Sequence, residues 1–144
     1  MVKMKPRTPK RDVGLFWTVW ALALLELVYT LYWVGSDLVV RAFPATHELF
    51  PSELVDFVLM TPLWQEILYL TGVILLVASF VLVSLRQRLV LACYPVSMLL
   101  FSVDWIMAAA HGAEFLTVPG YVSLVYQAAV TSLLVMLYNR GRLR

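Results

Sequence analysis

Glu26-Leu27-Val28-Tyr29-Thr30-Leu31-Tyr32-Trp33-Val34-Gly35-Ser36-Asp37 is an acidic and aromatic run inside a long hydrophobic segment. At about 100° of rotation per residue, Glu26, Tyr29, Thr30, Trp33 and Asp37 fall on one helical stripe, while Leu24, Leu25, Leu27, Val28 and Leu31 cover most of the remaining surface. A carboxylate facing lipid at the centre of a membrane helix costs about 2.5–3.5 kcal/mol even on the lenient insertion scale. Glu26 is therefore expected to face the interior of a bundle, protonated or paired, which makes this stretch part of a transmembrane helix with a polar inner face.

The rest of the composition agrees. Of 144 residues, 62% are hydrophobic and 14% charged, against roughly a quarter charged in soluble domains. Mean hydropathy is +0.84. The expected class is an all-α integral membrane protein, with residues 1–144 forming one four-transmembrane-helix bundle. Four spans of about 20 residues leave little room for a soluble module. The lone cysteine, Cys93, excludes an internal disulfide and reads as a small core residue in an apolar run.

The first 12 residues carry Lys3, Lys5, Arg7, Lys10 and Arg11 with two prolines, a basic tail whose ordinary role is to fix orientation. The apolar run that follows is too long for a signal peptide and has a glutamate in its middle, so it reads as a retained first span, 13–40. A loop over 41–61 contains Ser52-Glu53-Leu54-Val55-Asp56-Phe57-Val58-Leu59-Met60, expected to form a short interfacial helix after Pro51. The second span is 63–85, opened by Pro62. The third, 89–110, contains Pro95, a candidate kink. The fourth is 118–138, with Pro119 near its start and a basic end.

Ten of the 11 Lys and Arg residues fall in the tail, between the second and third spans, or at the C-terminus; Arg41 alone lies opposite. The positive-inside rule then makes both termini cytoplasmic. The outer side is acidic, with Asp37, Glu48, Glu53, Asp56 and Glu114. At about 1.5 Å of rise per residue, Glu26 lies roughly 20 Å from the cytoplasmic end of its span, slightly beyond the midplane. Asp104 comes out at a similar or slightly greater height, Gln127 roughly 13 Å in from the outer end of its span, and Gln65 and Glu66 within about a turn of the outer boundary. The cytoplasmic half is almost purely apolar.

On the third span Ser97, Asp104, Ala108 and His111 share a stripe; on the fourth, Gly120, Ser123, Gln127 and Thr131 make a small and polar face. Closing these faces on one another gathers a ligand- or proton-binding set of Glu26, Tyr29, Trp33, Asp37, Glu66, Asp104, His111 and Gln127. Trp64, Tyr69, Trp105 and Tyr126 are candidate aromatic walls. Trp17 and Trp20 read as boundary anchors. Asp37 and Glu66 are near enough the boundary to be solvated there, and His111 sits in or beside a wet loop. With no lysine or arginine inside the spans, Glu26 and Asp104 are expected to share protons, hydrogen-bond to Tyr, Gln or Ser, or hold a cationic guest.

Metalloprotease, serine-hydrolase, phosphate-loop and paired-cysteine motifs are absent, so no catalytic residue, cofactor or metal is assigned. Asp37-Leu38 together with Glu48-Leu49-Phe50-Pro51-Ser52-Glu53 faintly resembles the emopamil-binding and sigma-receptor-like four-helix membrane proteins, and the resemblance implies binding of sterols or cationic amphiphiles between acidic residues. It covers a short part of the chain, and the span bearing Glu66 lacks that family's apolar-proline continuation. Three readings follow. The first is a multi-pass membrane protein that binds or transports a cationic or amphiphilic small molecule, with proton coupling and a homodimer as its extensions. The second is a non-catalytic accessory subunit of a larger membrane complex. The third is a lipid or sterol isomerase using His111 with an acid. The lipid bilayer is the common partner, with a lipophilic cation or lipid as ligand and no nucleic acid.

Overall fold

The computed structural model describes residues 9–113 and 116–144, with the side chains of residues 9–12 left aside. Glu114, counted above among the outer acids, and Lys3, Lys5 and Arg7 of the tail lie outside the described residues. The chain folds as α1 (Pro9–Ala42), a 3-10 turn (Pro44–Leu49), α2 (Ser52–Met60), α3 (Leu63–Ser84), α4 (Val90–Ala110) and α5 (Thr117–Asn139), with no strand among the described residues. Helices α1, α3, α4 and α5 are long and apolar enough to cross a membrane, the mark of a multi-pass membrane protein.

Proline sets most of the boundaries. Pro9 occupies the first turn of α1, where its missing N–H leaves no bond unmade. The helix therefore starts inside what the composition reads as the tail. It ends just before Phe43-Pro44, because a residue preceding proline is driven out of the helical region. Pro51 and Pro62 stand immediately before α2 and α3 in extended conformation. Pro95 lies inside α4, yet the helix runs on through it from Val90 to Ala110.

Neighbouring helices pack in the cyclic order α1, α3, α4, α5, which puts α1 diagonally across from α4. One end of the bundle is dry. Phe16, Val19, Leu27, Leu76, Val83, Val90, Val130, Leu134 and Leu137 form a continuous buried core there. The α3–α4 turn, the first described turns of α1 and the C-terminal residues meet at this end. The Arg86 guanidinium lies 4.5 Å above the Phe16 ring, and the Arg144 N–H donates to the Arg86 carbonyl at 2.7 Å. Trp20 is no mere anchor: its indole N–H donates to Ser84 Oγ at 3.0 Å and its ring packs on Phe80. Trp17 is 57% exposed. At the opposite end α2 folds back on α1, with Val55 and Val58 buried against Val40.

Candidate ligand-binding cavity

Between the α2 end and the middle of the bundle the helices line a cavity of about 220 Å³. Glu26, Tyr29, Thr30, Trp33, Ser36, Asp37 and Arg41 line it from α1, spaced at the helical interval that made the stripe legible. From Glu26 to Asp37 this wall rises about 16 Å. The other helices contribute Glu66 and Tyr69, then Phe101, Ser102, Asp104 and Trp105, then Gly120, Ser123, Leu124 and Gln127. Leu54, Phe57 and Val58 of α2 cover the end.

Glu26 forms the floor and is 6% exposed. Its Oε1 accepts an N–H of Gln127 at 2.7 Å, and its Oε2 accepts the hydroxyl of Tyr94. Gln127 and Tyr94 are themselves buried, at 4% and 2% exposure. Burying a carboxyl without partners costs several kcal/mol, and two donors on its two oxygens offset that cost. The Tyr126 hydroxyl donates to the Leu22 carbonyl at 2.7 Å, one turn below, and so ties α5 to α1.

A second acidic level stands above this floor. Gln65, 2% exposed, donates to Asp104 Oδ1 at 3.0 Å and to the Asp104 carbonyl at 3.3 Å. Asp104 and Asp37 line the same cavity. Each of the two deep carboxyls is held by its own carboxamide, Glu26 by Gln127 and Asp104 by Gln65. Arg41 Nε sits 3.3 Å from Asp37 Oδ2 and 3.4 Å from Glu66 Oε1. Asp37 and Glu66 are therefore ion-paired and three-quarters buried rather than simply solvated. The i, i+4 spacing of Asp37 and Arg41 was the readable signal for that pairing. Nothing in the sequence announced Tyr94, which sits in an apolar run beside Pro95.

Seven of the eight expected site residues, all but His111, line this one cavity. His111 is exposed, and its Nδ1 lies 2.7 Å from the Met107 carbonyl. It borders a separate groove with Glu53, Asp56 and Gln65, because it closes the last turn of α4 beyond the reach of the bundle interior. An acid–base pair of His111 with Glu26 or Asp104 is not assembled. Among the expected walls, Tyr69 and Trp105 line the cavity, whereas Trp64 is half exposed elsewhere and Tyr126 is engaged below. Phe57 and Phe101 take their places.

Four carboxyls and one guanidinium thus share a small space walled by Trp33, Tyr69, Phe101 and Trp105. Carboxylate oxygens accept hydrogen bonds from an ammonium, and aromatic faces attract cations. Among the described residues no group of three or more His, Cys, Asp or Glu could hold a metal ion. No protein-family model, curated protein or solved structure matches the chain.

Proposed function

We propose that the chain is a membrane protein that binds a cationic, amphiphilic small molecule in this cavity, with both termini cytoplasmic and the cavity in the outer half of the bilayer. The orientation rests on the basic residues, ten of 11 lying on the side opposite Arg41. The binding reading rests on one observation: Glu26, Asp37, Glu66 and Asp104 line a single cavity in which Arg41 is the one basic residue. Arg41 answers Asp37 and Glu66, leaving Glu26 and Asp104 with neutral donors. A guest carrying one positive charge offsets part of the negative charge that remains. The aromatic walls supply its apolar contacts. Four helices are few for a complete transport path, so movement of the guest across the bilayer would call on a homodimer.

The test is thermal unfolding of the purified protein against a panel of lipophilic amines and uncharged analogues of the same size. A ligand at one hundred times its dissociation constant stabilises by about 2.7 kcal/mol. The amines should stabilise, the uncharged analogues should not, and Glu26→Gln or Asp104→Asn should remove the effect. If both variants respond like the wild type, the binding site lies elsewhere.

A further inference from the structure

Two residues lining the cavity, Tyr29 on α1 and Pro119 on α5, are also exposed on the outside of the bundle, Tyr29 by 51%. The cavity therefore reaches the bundle surface between these two helices. Below it α1 and α5 are joined by Tyr126 to the Leu22 carbonyl and Gln127 to Glu26. Above Glu26 and Gln127 no hydrogen bond joins the two helices among the described residues. Each turns to a different neighbour there. Helix α1 is held to α3 by Arg41 and Glu66 and to α2 by Val40. Helix α5 is held to α4, where the Trp105 indole N–H donates to the Leu116 carbonyl at 2.9 Å and the ring meets Tyr121. The result is a slot with Tyr29 about 4.5 Å above Glu26 and Pro119 about 12 Å above Gln127, at the helical rise.

We propose that the occupant is a single-chain aliphatic ammonium amphiphile that enters sideways from the bilayer through this slot. Its head lies among Glu26, Thr30 and Asp104, and its chain passes out between Tyr29 and Pro119. The proposal rests on the reading of the cavity as a cation site and adds the class of ligand and its route. Three observations carry it. The volume of about 220 Å³ lies below the roughly 300–1,000 Å³ of sites that enclose drug-sized ligands, so it suits a head and a few carbons with the remainder outside. Thr30, only 8% exposed, lines the cavity with a hydroxyl that has no hydrogen-bond partner among the described residues. The slot opens between surfaces that are already apolar and exposed, Val28 at 57% on α1 and Val122 at 64% on α5, where a chain exchanges lipid contact for protein contact at little cost. The α2 end, by contrast, is covered by Leu54, Phe57 and Val58.

The experiment uses the full chain in phosphatidylcholine nanodiscs and follows its melting temperature with dodecylamine, dodecanol and butylamine. Dodecylamine should raise the melting temperature by several degrees, while dodecanol and a large excess of butylamine leave it unchanged. Ser123→Phe, which fills the slot from α5, should abolish the dodecylamine shift. Pro119→Trp at the rim serves the same purpose if Ser123→Phe does not fold. Equal shifts from butylamine and dodecylamine, persisting in the slot variant, would overturn lateral entry and leave the cation site standing. A dodecanol shift equal to that of dodecylamine would overturn the ammonium head. Silence from every amine would overturn the cation site itself and this proposal with it.

Discussion

The carboxyl of Glu26 on α1 accepts a hydrogen bond from the hydroxyl of Tyr94 on α4, across the diagonal of the bundle. Gln127 on α5 holds the other carboxyl oxygen. One buried group thus ties three helices at the level where the dry core gives way to the cavity. Below it the packing is aliphatic, through Leu76, Val130 and Leu134. Above it the cavity opens, with carboxyls set among aromatic walls. Because helix association inside a membrane lacks the driving force that water provides, such hydrogen bonds fix which helix faces which.

Tyr94→Phe removes one donor and leaves a buried carboxyl half satisfied. It is expected to destabilise the fold by about 1–3 kcal/mol in a reversible denaturant titration. In a double-mutant cycle with Glu26→Gln, the two substitutions should be non-additive by roughly 0.5–3 kcal/mol, as for residues in direct contact. Strict additivity would mean that the two side chains do not share this bond.

Asp104→Asn separates charge from structure. Asparagine keeps an oxygen that accepts the Gln65 amide, so the bond now at 3.0 Å persists and stability should change by less than about 1 kcal/mol. Amine-dependent stabilisation should nevertheless vanish. Gln65→Leu does the reverse: it leaves Asp104 charged but without its donor, and should lower the melting temperature of the unliganded protein more than Asp104→Asn does. The opposite ranking would show that the carboxamide does not position the acid.

Much of the architecture was legible because the bilayer imposes long apolar runs and proline punctuates them. The expected spans 63–85, 89–110 and 118–138 end within a residue of α3, α4 and α5, and the short helix after Pro51 has the expected limits. The first span runs longer at its start because Pro9 suits a helical first turn and the basic residues after it do not oppose helix. The inward face of α1 was equally readable, since a carboxylate on the lipid side is excluded energetically. Partners were not. A helical stripe gives a direction but not the residue that meets it: hydrogen bonds from Tyr, Gln or Ser were expected only as a class, and helix rotation delivers Tyr94 and Gln127 to Glu26 and Gln65 to Asp104. His111 shares the stripe of Asp104 but lies two turns further on, where the helix ends and the interior stops.

Arg41→Gln tests the charge balance. The ion pairs of Arg41 with Asp37 and Glu66 are partly exposed, with side chains at 22–28%, and pairs of that kind contribute about 0–1 kcal/mol. Stability should therefore change little. Removing the guanidinium leaves four carboxyls uncompensated, and one charge about 10 Å from a bound cation at an effective dielectric of about 20 is worth roughly 1–2 kcal/mol. Affinity for an ammonium amphiphile should rise by about tenfold, the equivalent of about 1.4 kcal/mol, in a direct binding titration. A fall in affinity would instead make Arg41 a ligand contact, and with it an anionic group on the guest.

Gly120→Ala probes the wall that carries no charge. A methyl group at Gly120 would overlap the indole of Trp105, whose N–H is anchored to the Leu116 carbonyl at 2.9 Å. Alanine is otherwise the better helix former, so an isolated exposed site would gain stability from it. Here the indole must swing away or α5 must move off α4, and overpacking of this kind costs about 1–3 kcal/mol. The expected outcome is a lower melting temperature together with a shifted tryptophan emission as Trp105 leaves its half-buried position. Gly120→Ala combined with Trp105→Phe should recover most of the loss, because the smaller ring clears the methyl. Recovery without a change in amine binding would assign Trp105 to packing, and recovery with weakened binding would make its ring part of the cation's wall.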